Sequence, residues 1–264
     1  DVMIEEELQS CRKTKWAGQK IVYFDQIDST NIKAKELAEQ GCPSGTLVVA
    51  DKQVAGRGRR GRNWDSPSGT GIFMTLMLKP EINPNNASML TLVAALAVAE
   101  AIKDVTGLDA RIKWPNDIVI NGKKICGILT EMSAQFDYIN HIVIGIGINV
   151  HNEAFPEEIS AVAGSILLES GGRRFRRAEI IEKTLEHFEE YYEIYLQTED
   201  LSALTADYNA LLVNMNKQVK VLDPKDEFEG KAMGITAKGE LIVDTWESRK
   251  LVSSGEVSVR GIYG

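Results

Sequence analysis

The chain has 264 residues, of which 44% are hydrophobic and 26% charged, values typical of a globular protein with a substantial core. A formal net charge of -8 argues against nucleic-acid binding, which usually needs a broad positive field. The three cysteines have no CxxC spacing, so the sequence predicts neither a disulfide framework nor a zinc site and favours a reducing, cytoplasmic compartment.

The N-terminal residues 1–17 are rich in charge, and we predict a linker or the remnant of a preceding segment. They contain Glu5-Glu6-Glu7 and Arg12-Lys13-Thr14-Lys15, and the first residue is Asp1 rather than methionine. No secretory signal is recognisable here, and the most apolar run further on, residues 89–99, is too short to span a bilayer. We therefore expect a chain that begins inside a longer protein and has no membrane partner.

The first half of the chain alternates predicted strands and helices. Residues rich in β-branched and aromatic side chains predict strands over residues 20–25, 46–50 and 71–78, the last apolar on both faces. The run Asp28-Ser29-Thr30-Asn31 has N-cap chemistry for a helix over residues 32–40. Residues 87–105 predict a helix that is apolar nearly all round, as a buried central helix would be.

The second half begins with a predicted hairpin. Asn121-Gly122 separates the apolar runs 118–120 and 123–129, which is a strong signal of a two-residue turn. Residues 139–150 predict a further strand, in which Gly145 and Gly147 leave room for a ligand or a neighbouring backbone. Helices are predicted over residues 178–196 and 201–212, and the basic run 173–177 before them is predicted to be a solvated turn.

From residue 216 onward the pattern changes to short strands. They are predicted over residues 219–222, 229–235, 240–244, 250–252 and 256–260. Five short strands in so few residues are typical of a small closed barrel. The predicted fold class is therefore α+β, with a mixed β-sheet packed with helices and followed by a small β-barrel.

The most informative stretch is residues 56–67, Gly-Arg-Gly-Arg-Arg-Gly-Arg-Asn-Trp-Asp-Ser-Pro, which we call the arginine loop. Glycine lets a backbone approach a ligand closely, and arginine presents a planar charged fork to phosphate or carboxylate oxygens. Its first six residues match the GxGxxG dinucleotide fingerprint, but that motif must open a helix, and the turn-rich residues 63–71 cannot. A solvated basic turn and a nucleic-acid patch are alternatives. The glycine alternation and the flat face of Trp64 favour a nucleotide-phosphate clamp.

A second group of charges lies in residues 113–117, Lys-Trp-Pro-Asn-Asp, and in Lys124. A lone lysine is usually a surface amine. Lys124, however, begins a hairpin strand shortly after Asp117, so that both side chains are expected to face one place. A positive charge and a carboxylate held together could orient a reacting carboxylate and a metal-bound nucleotide, although this spacing alone names no substrate.

Considered together, these residues make the sequence closely similar to the biotin protein ligase family, also called biotin–[acetyl-CoA-carboxylase] ligases. Five stretches carry the resemblance, in the family's order and over about residues 20–150. They are residues 28–31, Gln53 with 56–64, 113–117, Lys124-x-x-Gly127-Ile128-Leu129-x-Glu131, and 145–149. The resemblance implies a catalytic domain that binds biotin and ATP over residues 18–214 and an SH3-like barrel over residues 215–264.

The resemblance implies a reaction in two steps. The carboxylate of biotin attacks the α-phosphate of ATP and gives biotinyl-5′-AMP and pyrophosphate, and a lysine of a biotin carboxyl carrier domain then attacks the mixed anhydride. ATP and biotin are the implied substrates, with Mg²⁺ bridging the ATP phosphates, and no metal ligand is assigned in the chain. The implied partner is the carrier domain of a carboxylase, and a homodimer is left open.

The implied roles fall on residues of the matching stretches. The catalytic residues would be Lys124, Arg57 and Asp117, with Lys124 holding the biotin carboxyl and the α-phosphate oxygens. Biotin would be bound by Ser29, Thr30, Asn31, Gln53, Gly56, Arg57, Gly127, Leu129 and Gly145. The nucleotide would be bound by Arg59, Arg60, Arg62, Trp64, Lys113, Asn116, Lys124, Asn149 and Arg260, with Trp64 and Asn149 against the adenine.

Two other functions compete with this one. A lipoate–protein ligase would share the fold and the adenylate chemistry but would lack the arginine loop. A biotin-sensing co-repressor without ligase activity would need the same residues for the adenylate. Many family members also carry an N-terminal winged helix-turn-helix that makes them repressors. This sequence lacks it, so we expect no nucleic-acid binding by residues 1–264 and leave open a repressor role of the intact protein.

Overall fold

A seven-stranded mixed sheet forms the larger part of the structure, which is a computed structural model. It describes residues 5–10, 13–222, 226–254 and 258–261, without the side chains of Ser10, Ser258 and Arg260. The strands are β1 (Ile21–Phe24), β2 (Thr46–Ala50), β3 (Gly71–Leu78), β4 (Arg111–Lys113), β5 (Asp117–Ile120), β6 (Lys123–Ala134) and β7 (Ile139–Asn149). They are ordered β1-β2-β3-β7-β6-β5-β4. The pair β1 and β2 is parallel, and the other neighbouring strands are antiparallel.

The predicted helices are present, and the described residues form three further short ones. The helices are α1 (Glu5–Ser10), α2 (Thr30–Glu39), α3 (Leu90–Thr106), α4 (Glu157–Ser160), α5 (Ile166–Glu169), α6 (Arg177–Thr198) and α7 (Thr205–Leu211), of which α1, α4 and α5 are the further ones. The structure starts α3 later than predicted, because Pro84–Met89 forms a separate 3-10 helix. It also shortens the predicted helix 201–212, since residues 201–204 make a turn closed by the Leu204 N–H and the Leu201 carbonyl.

The two faces of the sheet differ because of the alternation along β7. Ile142, Ile144, Ile146 and Ile148 belong to the main core, on the face that α3 and α6 cover. On the opposite face Val143 packs against α2, but the next two positions on that face are Gly145 and Gly147. Because glycine has no side chain, this part of the face is open next to the first residues of α2. The open area becomes the floor of the main cavity.

The covering helices are buried as their sequences predict. Helix α3 is buried nearly all round, and the stripe on α6, with Ile181, Leu185, Phe188, Tyr192 and Tyr195, is buried as well. None of the described helices has the length and apolarity needed to cross a membrane. Cys42 and Cys126 are buried free thiols, and Cys11 lies outside the described residues.

The N-terminal segment is packed on the domain over its described part. Leu8 of α1 is buried in the main core. The carboxylate of Glu189 on α6 accepts hydrogen bonds from the backbone N–H groups of Lys15 at 2.7 Å, Trp16 at 2.9 Å and Ala17 at 2.8 Å. This carboxylate therefore fixes the end of the segment to α6. Whether residues 1–17 also act as a linker stays a prediction.

The C-terminal part confirms the change to short strands. Strands β8 (Gln218–Leu222), β9 (Phe228–Ile235), β10 (Leu241–Asp244), β11 (Arg249–Val252) and β12 (Ser258–Gly261) pair in the order β11-β10-β9-β8-β12. The indole N–H of Trp114 donates to the Gly239 carbonyl at 3.0 Å. Buried residues of both parts form one continuous core. The predicted α+β class, a mixed sheet with helices followed by a small β domain, is confirmed.

One prediction about the surface is wrong. The basic run 173–177 does not form a wholly solvated turn, because the side chain of Arg177 is only 1% exposed. Its guanidinium donates to the Asp51 carboxylate at 2.7 Å and to the Gly71 carbonyl at 3.0 Å. A charge can be buried in this way only because a carboxylate and a carbonyl replace its water. The sequence does not reveal that Asp51 lies next to this turn.

Candidate functional site

A cavity of about 470 Å³ opens on the uncovered face of the sheet. Most of the predicted site residues line it: Ser29, Thr30, Asn31, Gln53, Arg57, Arg59, Arg60, Arg62, Trp64, Asn116, Asp117, Lys124, Gly127, Leu129, Gly145 and Asn149. They come from the start of α2, the arginine loop and strands β5 to β7, which lie far apart in the sequence. The fold therefore brings the matching stretches together around one space.

The floor of the cavity consists of glycines on two neighbouring strands. Gly127 of β6 pairs with Gly147 of β7. A Cβ atom added at Gly147 would lie 2.5 Å from Nε1 of Trp64, and one added at Gly127 would lie 2.9 Å from the same indole ring. A Cβ atom at Gly145 would lie 2.2 Å from Oδ1 of Asn31. These positions are glycine because Trp64 and Asn31 lie directly on the strands.

We expect Gly147→Ala to disturb Trp64 without unfolding the protein. The added methyl group cannot share space with the indole at 2.5 Å, whereas alanine is compatible with an extended strand. Trp64 should move away from the sheet, which a shift of its fluorescence would report, and the binding of nucleotide should weaken. The control is Gly41→Ala, where no atom lies within 4 Å of the added Cβ, although its positive φ costs some stability. Unchanged Trp64 fluorescence in Gly147→Ala would contradict this packing.

A hydrogen-bonded network holds the start of α2 against the floor. Thr30 donates to Oε1 of Gln53 through its backbone N–H at 2.9 Å and its hydroxyl at 3.1 Å. Ser29, predicted within the N-cap motif, occupies the N-cap position but makes no side-chain capping bond. Asn31 accepts a hydrogen bond from Thr75 at 2.6 Å and donates to Glu131 at 2.8 Å. This end of the cavity is therefore lined by oriented neutral polar groups.

The carboxylate that orients Asn31 is itself ionised by its surroundings. Burial alone would raise the pKa of Glu131, but hydrogen bonds from Lys35 and Asn31 outweigh it and lower the pKa below its usual value. The Lys35 ammonium lies 2.7 Å from Oε1 of Glu131. Glu131 was part of a matching stretch without a predicted role, and the structure places it behind the polar end of the cavity.

The arginine loop is folded as an irregular hairpin. The Trp64 N–H donates to the Gly56 carbonyl at 2.9 Å, and the Gly58 N–H donates to the Arg62 carbonyl at 2.7 Å. The tip, Arg59–Gly61, is a short 3-10 helix. Gly56 does not line the cavity; a Cβ atom there would lie 2.3 Å from the Trp64 carbonyl oxygen. Gly56 therefore allows the two sides of the loop to approach, and its predicted contact with biotin stays a prediction.

Arg59 connects the loop tip to two other parts of the molecule. Its guanidinium donates to Oδ1 of Asn116 at 2.9 Å and to the carbonyl of Ser254, in the C-terminal part, at 2.8 Å. Burial lowers the pKa of Arg59, and Arg60 and Arg62 lower it further, while Asp117 opposes the change. An arginine stays charged despite such a decrease. Arg59 therefore holds the loop tip across the cavity as a cation.

Lys124 and Asp117 lie together, as their positions on the hairpin suggested. The distance between Nζ of Lys124 and Oδ1 of Asp117 is 2.8 Å, and Nζ lies 5.4 Å from the centre of the Trp64 ring. The two side chains are 38% and 20% exposed, so that the ammonium is neutralised on one side and accessible on the other. An anion in the cavity could therefore reach this lysine.

Three predicted nucleotide ligands, Lys113, Asn149 and Arg260, differ from the others in their surroundings. Lys113 lies on β4 opposite Asp117 and does not line the cavity, so its predicted contact stays a prediction. Asn149 lines the cavity, yet its amide also donates to the Gly164 carbonyl at 3.1 Å. The backbone of Arg260 lies in β12, but its side chain is outside the described part of the chain. Its predicted role is therefore untested.

One wall of the cavity was not predicted from the sequence. This wall comes from residues 152–163, which surround α4, and includes Phe155, Ile159 and Val162. Ile159 and Val162 are 43% and 59% exposed, and both line the cavity, which suits contact with an apolar ligand surface. The segment has no motif, and only two apolar residues three positions apart could have indicated it.

Comparisons with known proteins agree with this geometry. Residues 23–149 match the biotin/lipoate A/B protein ligase family, and residues 215–260 match the biotin protein ligase C-terminal domain. The bifunctional ligase/repressor BirA of Bacillus spizizenii is 41% identical over 257 residues, which cover 97% of this chain and 78% of the relative. The biotin–[acetyl-CoA-carboxylase] ligase of Mycobacterium tuberculosis is 31% identical over 238 residues, with 88% of this chain and 86% of the relative covered.

Solved structures give the same result. The biotin protein ligase of Aquifex aeolicus in complex with biotin and ATP superposes with a TM-score of 0.81 at 31% sequence identity. The match covers 92% of this chain and 99% of that one. The likeness therefore extends over both the mixed sheet and the small C-terminal domain.

Proposed function

Since the chain belongs to the biotin/lipoate A/B protein ligase family, we propose that it is an ATP-dependent biotin–[biotin carboxyl-carrier protein/acetyl-CoA-carboxylase] ligase. The observation that carries the proposal is the arrangement of the cavity. One end is lined by the neutral polar groups of Thr30, Asn31 and Gln53, and the middle by Lys124 and the arginine loop. The neutral end suits the ureido ring of biotin, and the cations suit a carboxylate beside a phosphate.

In the first step, a carboxylate oxygen of biotin forms a bond to the α-phosphorus of ATP, and the bond to pyrophosphate breaks. Two anions must approach each other, and negative charge increases on the α-phosphate oxygens. Lys124 and Arg57 reduce this repulsion because their charges are already in place in the cavity. Asp117 holds the Lys124 ammonium at 2.8 Å and so fixes its direction.

In the second step, the amine of a carrier-domain lysine attacks the acyl carbon of the mixed anhydride, and AMP leaves. The arginine loop and the wall formed by residues 152–163 cover the anhydride and limit its hydrolysis until the carrier domain arrives. The exposed side chains of Ile159 and Val162 provide an apolar surface for the adenine, together with Trp64. The carrier domain of a carboxylase is the proposed partner, and the proposed location is the cytoplasm.

Mg²⁺ would enter with the nucleotide. The described residues contain no cluster of three or more His, Cys, Asp or Glu side chains that could bind a metal ion. A hard cation such as Mg²⁺ prefers phosphate oxygens and water, and the proposal leaves its ligands to ATP. The roles given to the protein side chains do not depend on it.

Biotin-dependent exchange of labelled pyrophosphate into ATP tests the first step, and labelling of an apo carrier domain tests the second. We expect residues 1–264 to catalyse both, with no exchange when biotin is left out. Exchange that follows lipoate instead of biotin would identify a lipoate ligase. Exchange without transfer to any carrier domain would favour a biotin-sensing module. The Bacillus relative is named a bifunctional ligase/repressor, but we propose only ligase activity for residues 1–264.

A further inference from the structure

A buried ion pair lies at the base of the arginine loop, away from the cavity. Arg177, the first residue of α6, is 1% exposed and donates to the Asp51 carboxylate at 2.7 Å. It also donates to the carbonyl of Gly71, the first residue of β3, at 3.0 Å. Neither Arg177 nor Asp51 lines the cavity, so the ligand contacts proposed above do not explain this pair.

The carboxylate of Asp51 joins the two ends of the loop. Asp51 follows β2 and precedes the loop, whereas Ser68 and Gly69 follow it. The Ser68 hydroxyl donates a hydrogen bond to the Asp51 carboxylate, and the Gly69 N–H donates to both carboxylate oxygens at 3.2 Å. The chain thus leaves the sheet at residue 51 and forms the loop. After the loop, residues 68–69 bind the carboxylate of Asp51 again.

The contacts of Asp51 keep its carboxylate ionised. Burial alone would raise the pKa of Asp51, but the hydrogen bonds from Ser68 and Arg177 and the charge of Arg177 outweigh burial and lower it. Asp51 is therefore ionised at neutral pH. Arg177 is positioned by α6, which packs on the core, and so connects the loop ends to a rigid part of the fold.

We propose that Arg177, Asp51 and Ser68, which we call the loop clamp, are positioning residues that hold the arginine loop over the reaction intermediate. This inference rests on the proposed ligase function. The loop has three glycines and four arginines between its ends, so an unrestrained loop would have high conformational entropy and its charges would repel each other. Fixing both ends on one carboxylate reduces the number of open conformations. The clamp therefore keeps Arg57, Arg59 and Trp64 within reach of the adenylate.

The test uses Ser68→Ala, because this change removes the side-chain bond that holds the returning end of the loop. It leaves the Arg177–Asp51 pair and the weaker bonds from the Gly69 N–H in place. Asp51→Asn is the second variant, since it keeps an oxygen for Arg177 but removes the charge. The matched control is Asp109→Asn, at the exposed pair of Asp109 and Arg111. Three quantities are measured for each protein: the thermal unfolding midpoint, the rate of trypsin cleavage within residues 57–62 without ligand, and the rate at which biotinyl adenylate is released.

For Ser68→Ala we expect release of the adenylate to be about tenfold faster, as for the loss of one hydrogen bond to a charged group. Trypsin cleavage of the loop should be faster as well, while the unfolding midpoint falls by no more than about 2–4 °C, the usual effect of one lost contact in a chain of this length. Asp51→Asn should change release in the same direction, and Asp109→Asn should change none of the three quantities.

Release and cleavage at wild-type rates in Ser68→Ala would overturn the clamp, as would a lower unfolding midpoint with unchanged release, because that result indicates a purely structural role. Wild-type protein that forms no adenylate would instead overturn the proposed ligase function. In that case the trypsin rates, which need no ligand, still decide whether the clamp holds the loop. The two failures are therefore distinguishable.

Discussion

Replacing Lys124 by alanine is expected to slow the formation of biotinyl adenylate by about 10²–10³-fold, the usual effect of removing one preorganised group that stabilises charge in a transition state. The ammonium of Lys124 lies in the cavity, 2.8 Å from Asp117. Without it, the Asp117 carboxylate would be unpaired and would repel the incoming carboxylate and phosphate. Both changes raise the barrier to the first step. Pyrophosphate exchange measures that step directly.

The folded state should tolerate this change, because the side chain of Lys124 is 38% exposed and its pair with Asp117 is partly solvated. Lys124→Arg is expected to recover part of the activity through its charge. Lys103→Ala, at a surface pair with Glu100 on α3, is the control and should exchange pyrophosphate at the wild-type rate. Exchange by Lys124→Ala within a factor of a few of the wild type would contradict the proposed role.

Replacing Arg59 by glycine is expected to leave adenylate formation partly intact but to release the intermediate about 10–100-fold faster. Arg59 donates two hydrogen bonds from a charged group, to Asn116 at 2.9 Å and to the Ser254 carbonyl at 2.8 Å. A single such bond is worth roughly a factor of ten or more, and the effects of the two do not simply multiply because they share one guanidinium. Their loss frees the loop tip from β5 and from the C-terminal part together, and glycine makes the open loop still more variable.

Escape of the reactive anhydride is measured as biotinylation of lysines in bystander proteins that have no carrier domain. Arg249→Gly, at an exposed pair with Asp244, is the matched control and should not label bystanders. Biotin and ATP should protect the loop of the wild type from trypsin, whereas the same ligands should not protect the loop of the Arg59 variant. Retention of the adenylate at the wild-type rate would show that the tip contacts do not hold the loop closed.

Most of the secondary structure could be predicted from the sequence because its determinants are local. The apolar runs at 46–50 and 71–78 became strands with those bounds. Asn121 and Gly122 both have positive φ, 50° and 77°, as a two-residue hairpin turn requires. Helix α3 is buried nearly all round and α6 along one stripe, as their sequences predict. Errors occurred at helix ends, where caps and turns depend on neighbouring elements.

The family and the proposed chemistry also followed from the sequence, because residues such as Lys124, Trp64 and Gly147 lie in motifs. The physical reason that these residue types occupy these positions could not be seen in the sequence. A glycine pattern in β7 suggests close approach, but only the folded sheet shows that Gly147 pairs with Gly127 and that Trp64 lies on both. The wall formed by residues 152–163 has no motif, since apolar contact with a ligand needs the right place rather than particular residues.

Tertiary structure alone decided which charged groups are buried. Arg177 and Glu189 lie on the same helix, and a sequence pattern assigns both to solvent. In the structure, Arg177 pairs with Asp51 at the base of the arginine loop. Glu189 accepts hydrogen bonds from three backbone N–H groups. Burying such a charge is favourable only when partners distant in sequence replace its water. Local sequence determined the elements and the reacting groups of this protein. The long-range pairing of charges determined how the loop over those groups is held.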